Sequence, residues 1–283
     1  MASSWNTELV EQASIETASE MRATGSHWTF APNIDLARDA RWGRVGETFG
    51  EDTYLVGEMG VAMVRGLQQG DFSSRNAVVA NAKHWVAGGE PLTGINLSPM
   101  DVSLRTLYED FFPPFKKAID AGVFTFMAAH NEINGEPAHG SHFLLTEVLR
   151  DNWKFEGFVV SDWMDVSRLH TFHKVAKTPE EAGFQTVDAG MDMNMHGPNF
   201  APYVLELVKE GRISERRIDD SVRPILTAKF RLGLFEKSIV DKEVIEIERE
   251  FFSLFGSNIS ESIKSQLNRE IGIGVYSLSL IHI

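Results

Sequence analysis

In Gly157-Phe158-Val159-Val160-Ser161-Asp162-Trp163, three apolar residues lead through one serine to a carboxylate and an aromatic ring. Short apolar runs are how buried strands of a parallel sheet read, and in a (β/α)8 barrel the residues at the C-terminal strand ends face the active site. Asp162 therefore stands where chemistry would be done. It equally suits the cap of a following helix, because Asp is a favoured N-cap and a carboxylate is stabilised at a helix N-terminus. This stretch alone does not separate cap from catalyst.

Other apolar runs also end in residues able to handle a sugar or its charge. After 28–31 a loop supplies Arg38, Arg41 and Arg44 around Trp42-Gly43. Lys83, His84 and Trp85 close the next run, and Met127, His130, Asn131 and Glu132 the one after. Each has a structural explanation when taken singly: Arg41 can pair within its loop, His84 can be a satisfied core residue and Met127 can be packing. Convergence changes that weighting, because a barrel gathers the ends of different strands at one mouth. A carboxylate ringed by Lys83, His84 and Arg44 would be held ionised, as a nucleophile requires. Lys83 and Arg44 can donate to sugar hydroxyls, and Trp163 offers an apolar face to pyranose C–H bonds.

The elements that must position these residues alternate. Helical spacing is read over 7–21, 54–69, 103–121 (interrupted by Pro113-Pro114), 142–153, 180–189, 201–210 and 218–232. Strand-like runs are read at 28–31, 77–82, 123–129, 158–161 and 191–195, with loops at 33–52, 83–100 and 130–140. Alternating strand and helix predicts a parallel sheet with helical cover. Five strand-plus-loop units fall short of the eight of a closed barrel. No Gly-x-Gly-x-x-Gly or Walker A pattern follows a strand, and the polar residues follow several strands rather than one switch point, which favours an incomplete barrel over a doubly wound sheet. The reading is a partial (β/α)8 TIM-barrel-type domain over 1–236, with a helical or irregular tail of no assigned function over 237–283, whose last residues resemble adapter sequence.

Hydrophobic content of 43%, charged content of 24% and 283 residues fit a globular α/β protein with a sizeable core. A formal net charge of -13 argues against nucleic acid or an anionic membrane as partner and fits a neutral substrate. No apolar run is long enough to span a bilayer, and the first thirty residues show no signal-peptide pattern. Zero cysteines exclude disulfides, thiolate nucleophiles and Cys-ligated zinc but leave the compartment open. Neither a cofactor nor a metal is expected.

Taken in order, the motifs Phe30-Ala-Pro-Asn-Ile-Asp-Leu-Ala-Arg38-Asp-Ala-Arg41-Trp-Gly-Arg44, Lys83-His84-Trp85, Asn131-Glu-Ile-Asn134-Gly135, Gly157 to Trp163, Asp188-Ala-Gly-Met-Asp192-Met and Lys229-Phe-Arg-Leu-Gly-Leu-Phe235-Glu236 closely resemble glycoside hydrolase family 3, particularly its bacterial β-glucosidase-like members. The resemblance implies that Asp162 is the nucleophile, that Arg44, Lys83 and His84 bind the sugar before the scissile bond, and that Trp163 and Met127 shape the pocket. His130 stands on the pocket wall where an aromatic residue is common. It further implies that these strands are the last five of the barrel, and that an acid/base Glu comes from a C-terminal domain of the parent protein, outside this chain. A periplasmic or secreted parent is expected, with the cytoplasm as the alternative. The branch with a His-Asp pair after the Lys-His motif is disfavoured, because 86–96 contains no His. The expected function is a retaining exo-acting β-glycosidase, a β-glucosidase or glucan glucohydrolase, acting on a β-linked oligosaccharide or glucoside. The alternatives are a β-xylosidase, an inactive partial barrel that binds sugar weakly or does not fold, and a phosphate-ester enzyme, for which no strand-end glycine loop is seen.

Overall fold

The computed structural model describes residues 1–236. At its centre β1 (Asn81–Trp85), β2 (Thr125–Ala128) and β5 (Phe158–Val160) form a parallel sheet in that order. Single parallel bridges extend it, from Trp28 to Val79 and Asn33 to Lys83 on one side and from Met193 to Val160 on the other. The five expected runs thus lie side by side in chain order. The outer two make single bridges instead of continuous ladders: the first keeps backbone bonds such as Thr29 N–H to Val79 O and Asn81 N–H to Ala31 O, and in the last Asp192 and Met193 both donate to Val159 O, at 3.1 Å each, so that it touches the sheet instead of pairing along it. A short hairpin, β3 (Glu132–Ile133) with β4 (Glu136–Pro137), occupies the segment read as loop.

The helical cover comprises α1 (Thr7–Ala23), α2 (Thr53–Gln68), α3 (Leu104–Thr106), α4 (Phe112–Asp120), a π-helical segment (Phe143–Asn152), α5 (Asp165–Thr171), α6 (Pro179–Ala189), α7 (Phe200–Lys209) and α8 (Glu215–Arg231). Side chains of Asn6, Asp52, Thr178 and Ser214 accept the first-turn N–H groups of Leu9, Leu55, Glu181 and Arg217, which fixes where α1, α2, α6 and α8 begin. The prolines at 113 and 114 do not break the helix there. A wide π turn (Leu107–Phe111) joins α3 to α4, and Thr53 Oγ1 donates to Asp110 O at 3.2 Å, the carbonyl that Pro114 cannot serve. Helices α1 and α2 approach closely at Gly66, where a Cβ would lie 2.4 Å from Glu11 O.

The main core joins these helices to one face of the sheet through Ala82, Phe126 and Val159, with Trp85 fully buried among Phe112, Phe115 and Phe126. Side chains alternate along a strand, so Lys83, Met127 and Val160, which share one register, face the other side. A second cluster, Phe72, Val79, Phe158, Ala228 and Leu232, lets α8 cover the N-terminal ends of the strands. Their C-terminal ends remain for the polar residues. Among the described residues no helix is long and apolar enough to cross a membrane. The helical or irregular tail read over 237–283 lies outside the described residues.

Candidate active site

β1 runs further than its apolar stretch suggests, through Lys83 and His84 to Trp85. Lys83 pairs with Met127 and Trp85 with Ala128, so His84 is an extra residue in the ladder. Such a bulge re-aims side chains: Trp85 returns to the core while Lys83 and His84 serve the strand end. The neighbouring segment leaves the sheet after Asn33 and places Asp35 beside His84, whose Nδ1 lies 2.6 Å from Asp35 Oδ2. Arg44 Nη2 donates to His84 Nε2 at 3.1 Å. A guanidinium only donates, so Nε2 accepts and Nδ1 carries the proton toward Asp35. Arg44 also holds Glu47 through bonds of 2.9 and 2.8 Å.

Asp162 follows β5. Its Oδ2 is 2.9 Å from His130 Nε2 and 3.5 Å from His84 Nε2, and its Oδ1 accepts the Trp163 N–H at 2.6 Å. It is not the cap of α5, which begins after Met164 with no side-chain cap. The cap alternative is thereby corrected: Met164 takes a left-handed backbone (φ 63°) that turns the chain between Asp162 and the helix. Behind His130 stands Asp165, 1% exposed, with Oδ2 at 2.6 Å from His130 Nδ1 and Oδ1 bonded to Arg168 Nη1. His139 Nε2 accepts the Asp162 backbone N–H at 2.9 Å.

The electrostatics follow from this packing. Burial alone would raise the Asp162 pKa, but the His130 hydrogen bond and charge and the Trp163 N–H outweigh it and hold the carboxyl well below its usual range. Burial would lower His130, but hydrogen bonds to Asp162 and Asp165 and their charges push it up to about 9, so it is an imidazolium at neutral pH. His139 is lowered by burial, which agrees with a neutral ring accepting at Nε2. Lys83 is lowered by burial and by Arg44 against the pull of Asp162, Glu47 and Asp35. His130, Asp162 and Asp165 offer ligand atoms within 4.8 Å of one another, yet both ring nitrogens of His130 already face carboxylates. A doubly protonated imidazole is a donor and not a metal ligand.

Of the residues expected in the site, Asp162, His84, His130 and Arg44 are brought into direct contact. Lys83 lies close enough to feel Asp162 and Arg44. Met127 is buried in the layer beneath, in register with Lys83. Trp163 is 39% exposed at the rim, with one face stacked on His196 at 4.0 Å. Arg38 and Arg41 are held elsewhere, by Glu90 and Asp110 and by Asp39 respectively, Trp85 is core, and Glu132 pairs with His173. Sequence reasoning missed Asp35, Asp165, Arg168 and His139. Asp165 and Arg168 had a signal, since opposite charges three apart meet on a helix face; His139 had none. The assembly can keep one carboxylate ionised in a mostly dry pocket, surround it with donors and present an aromatic face beside it.

Residues 1–228 match the model of the glycosyl hydrolase family 3 N-terminal domain. A putative β-xylosidase of Formosa agariphila is 41% identical over 248 residues, covering 87% of this chain and 33% of that protein. A periplasmic β-glucosidase of Salmonella typhimurium is 38% identical over 235 residues, covering 83% and 31%. The solved structure of a β-glucosidase from Listeria innocua in complex with glucose superposes with a TM-score of 0.81 at 36% identity, covering 83% of this chain and 33% of that one. The chain spans about a third of the length of the curated relatives it matches. With a parallel sheet whose strand ends gather Arg44, Lys83, His84, His130 and Asp162, and a family match over nearly all of its described residues, the chain belongs to glycoside hydrolase family 3.

Proposed function

We propose that this chain carries the nucleophile of a retaining, exo-acting β-glycosidase, a β-glucosidase or glucan glucohydrolase that releases terminal non-reducing β-D-glucosyl residues. The observation that carries this reading is Asp162: a carboxylate at a strand end, 8% exposed, kept ionised and surrounded by donors. The described residues are read as a five-strand arc of a (β/α)8 barrel, whose mouth these strand ends form. In such a site Asp162 attacks the anomeric carbon while a second carboxyl, about 5 Å away, protonates the departing oxygen; that group then deprotonates the water that releases the sugar. Arg44, Lys83 and His84 bind the sugar hydroxyls, while Met127, His130 and Trp163 shape the pocket.

The carboxylates around Asp162 do not suit the second role. Asp165 is engaged by His130 and Arg168 and Glu47 by Arg44, while Asp35 gives Oδ2 to His84 and keeps a buried Oδ1 without a hydrogen-bond partner. It is the resemblance to the family, and not these contacts, that implies an acid/base Glu outside this chain. Asp162→Asn in the full-length protein is expected to abolish turnover of an aryl β-glucoside, a loss of about 10³-fold or more; near-normal kcat would refute the assignment. A β-xylosidase is the second reading, favoured by the 41% identity to a protein of that name. The ratio of kcat/KM for p-nitrophenyl β-glucoside and β-xyloside decides between them.

A further inference from the structure

The nucleophile reading leaves unexplained why Asp162 faces an imidazole that is itself backed by a second buried carboxylate. His130 Nε2 is 2.9 Å from Asp162 Oδ2, and His130 Nδ1 is 2.6 Å from Asp165 Oδ2. Asp165 is 1% exposed and its other oxygen is taken by Arg168, which also donates to Trp163 O at 3.0 Å. The charged and titratable groups around His130 are thus Asp162 after β5, Asp165 on α5, 2.6 Å from Nδ1, Arg168 on α5, whose Nη1 lies 3.3 Å from the same Nδ1 while it bonds to Asp165 Oδ1, His84 on β1, its ring 6.0 Å away, and His139 after the hairpin, 3.5 Å from Asp165. Two carboxylates on opposite sides of one ring can both be satisfied only when both ring nitrogens carry protons.

We propose that Asp165, fixed by Arg168, holds His130 as an imidazolium against Asp162 Oδ2, and that His130 and Asp165 act as positioning residues for the step in which Asp162 leaves the sugar. The proposal rests on Asp162 as nucleophile. In that step water oxygen forms a bond to the anomeric carbon and the bond from that carbon to the Asp162 oxygen breaks. The electron pair returns to the Asp162 carboxylate, and the water proton goes to the second carboxyl. His130 gives up no proton. A charge-assisted hydrogen bond at Oδ2 is stronger to the departing carboxylate than to the neutral ester, so it lowers the barrier of release and, by stabilising the free carboxylate, does not assist attack. Attack on a substrate with a good leaving group gains nothing from it.

The test uses the full-length protein and Asp165→Asn, which preserves shape and removes the charge behind the ring. Release is expected to slow about tenfold or more. With 2,4-dinitrophenyl β-glucoside this should appear as a burst of phenol, with kcat and KM falling together and kcat/KM unchanged or raised, and the alkaline limb of kcat should move to lower pH. A fall in kcat/KM without a burst, or an unmoved pH limb, overturns the proposal. Should Asp165→Asn not fold, imidazole ¹⁵N spectra of the unaltered protein answer the same question: His130 protonated on both nitrogens at pH 8 is expected, and a His130 already neutral there overturns the proposal. A 2-deoxy-2-fluoro glucoside, which traps the glycosyl-enzyme, separates the two claims. Label on a residue other than Asp162 refutes the nucleophile assignment, whereas label on Asp162 with an unaltered Asp165→Asn profile refutes only the role of His130 and Asp165.

Discussion

His130 carries a charge that the fold, rather than its own chemistry, maintains. Its value is raised from 6.5 to about 9 against the effect of burial, so its contribution to stability is fully present below about pH 6.5 and is lost as pH rises through about 9. The loss is expected to be on the order of 1–3 kcal/mol. Thermal midpoints measured from pH 7 to pH 10 should therefore fall more for the unaltered protein than for His130→Gln, which has no ring to titrate; parallel curves would place the charge elsewhere. At this scale the sequence reveals about half of the site. Arg44, Lys83, His84, His130 and Asp162 follow runs that look like strands, and strand ends converge. Asp35 and His139 do not announce themselves, because their importance is a bond to a residue 49 positions away in one case and 23 in the other. Trp85 sits next to His84 and yet belongs to the core, because the extra residue in β1 lets neighbouring side chains take different destinations.

At the scale of elements, the strands most legible as apolar runs are those that pair on both sides, and the outer runs were over-read because apolar character reports burial and not a hydrogen-bond ladder. Helix ends were legible where a capping side chain marks them. Helix α5 was not, being short, uncapped and entered through Met164. What holds the last run to the sheet is Asp192, 1% exposed at its side chain, which accepts from the Val159 N–H at 2.8 Å, Ser221 Oγ at 2.8 Å and Arg150 Nη2, with Arg217 Nη1 at 3.5 Å. This carboxylate ties α8 and the π-helical segment to the strand that delivers Asp162. Replacing it by Ala would remove the counter-charge of two guanidinium groups, which keep carbonyl partners, and leave the Val159 N–H without an acceptor, a cost of about 1–3 kcal/mol. A thermal midpoint unchanged in Asp192→Ala would show that the tie is not needed. If the variant stays folded, KM should rise as β5 loosens.

Seen as a whole molecule, the described residues form an arc and not a closed ring: among them neither the segment at Trp28 nor that at Met193 has a second parallel neighbour. The candidate site sits at the C-terminal strand ends, and α8 lies over the opposite ends. Under the proposed function, the acid that protonates a poor leaving group comes from outside this chain. Acid catalysis of that kind contributes about 10²–10⁴-fold, and its loss matters least when the leaving group needs no proton. Full-length protein and the 283-residue chain, compared on 2,4-dinitrophenyl and methyl β-glucosides, should therefore differ far more on the methyl glycoside. If the chain alone folds and cleaves both at full-length rates, the acid lies within it after all, and Asp35 and Glu47 become the groups to replace next, since Asp35 reaches Asp162 through His84 alone and Glu47 through Arg44 and His84.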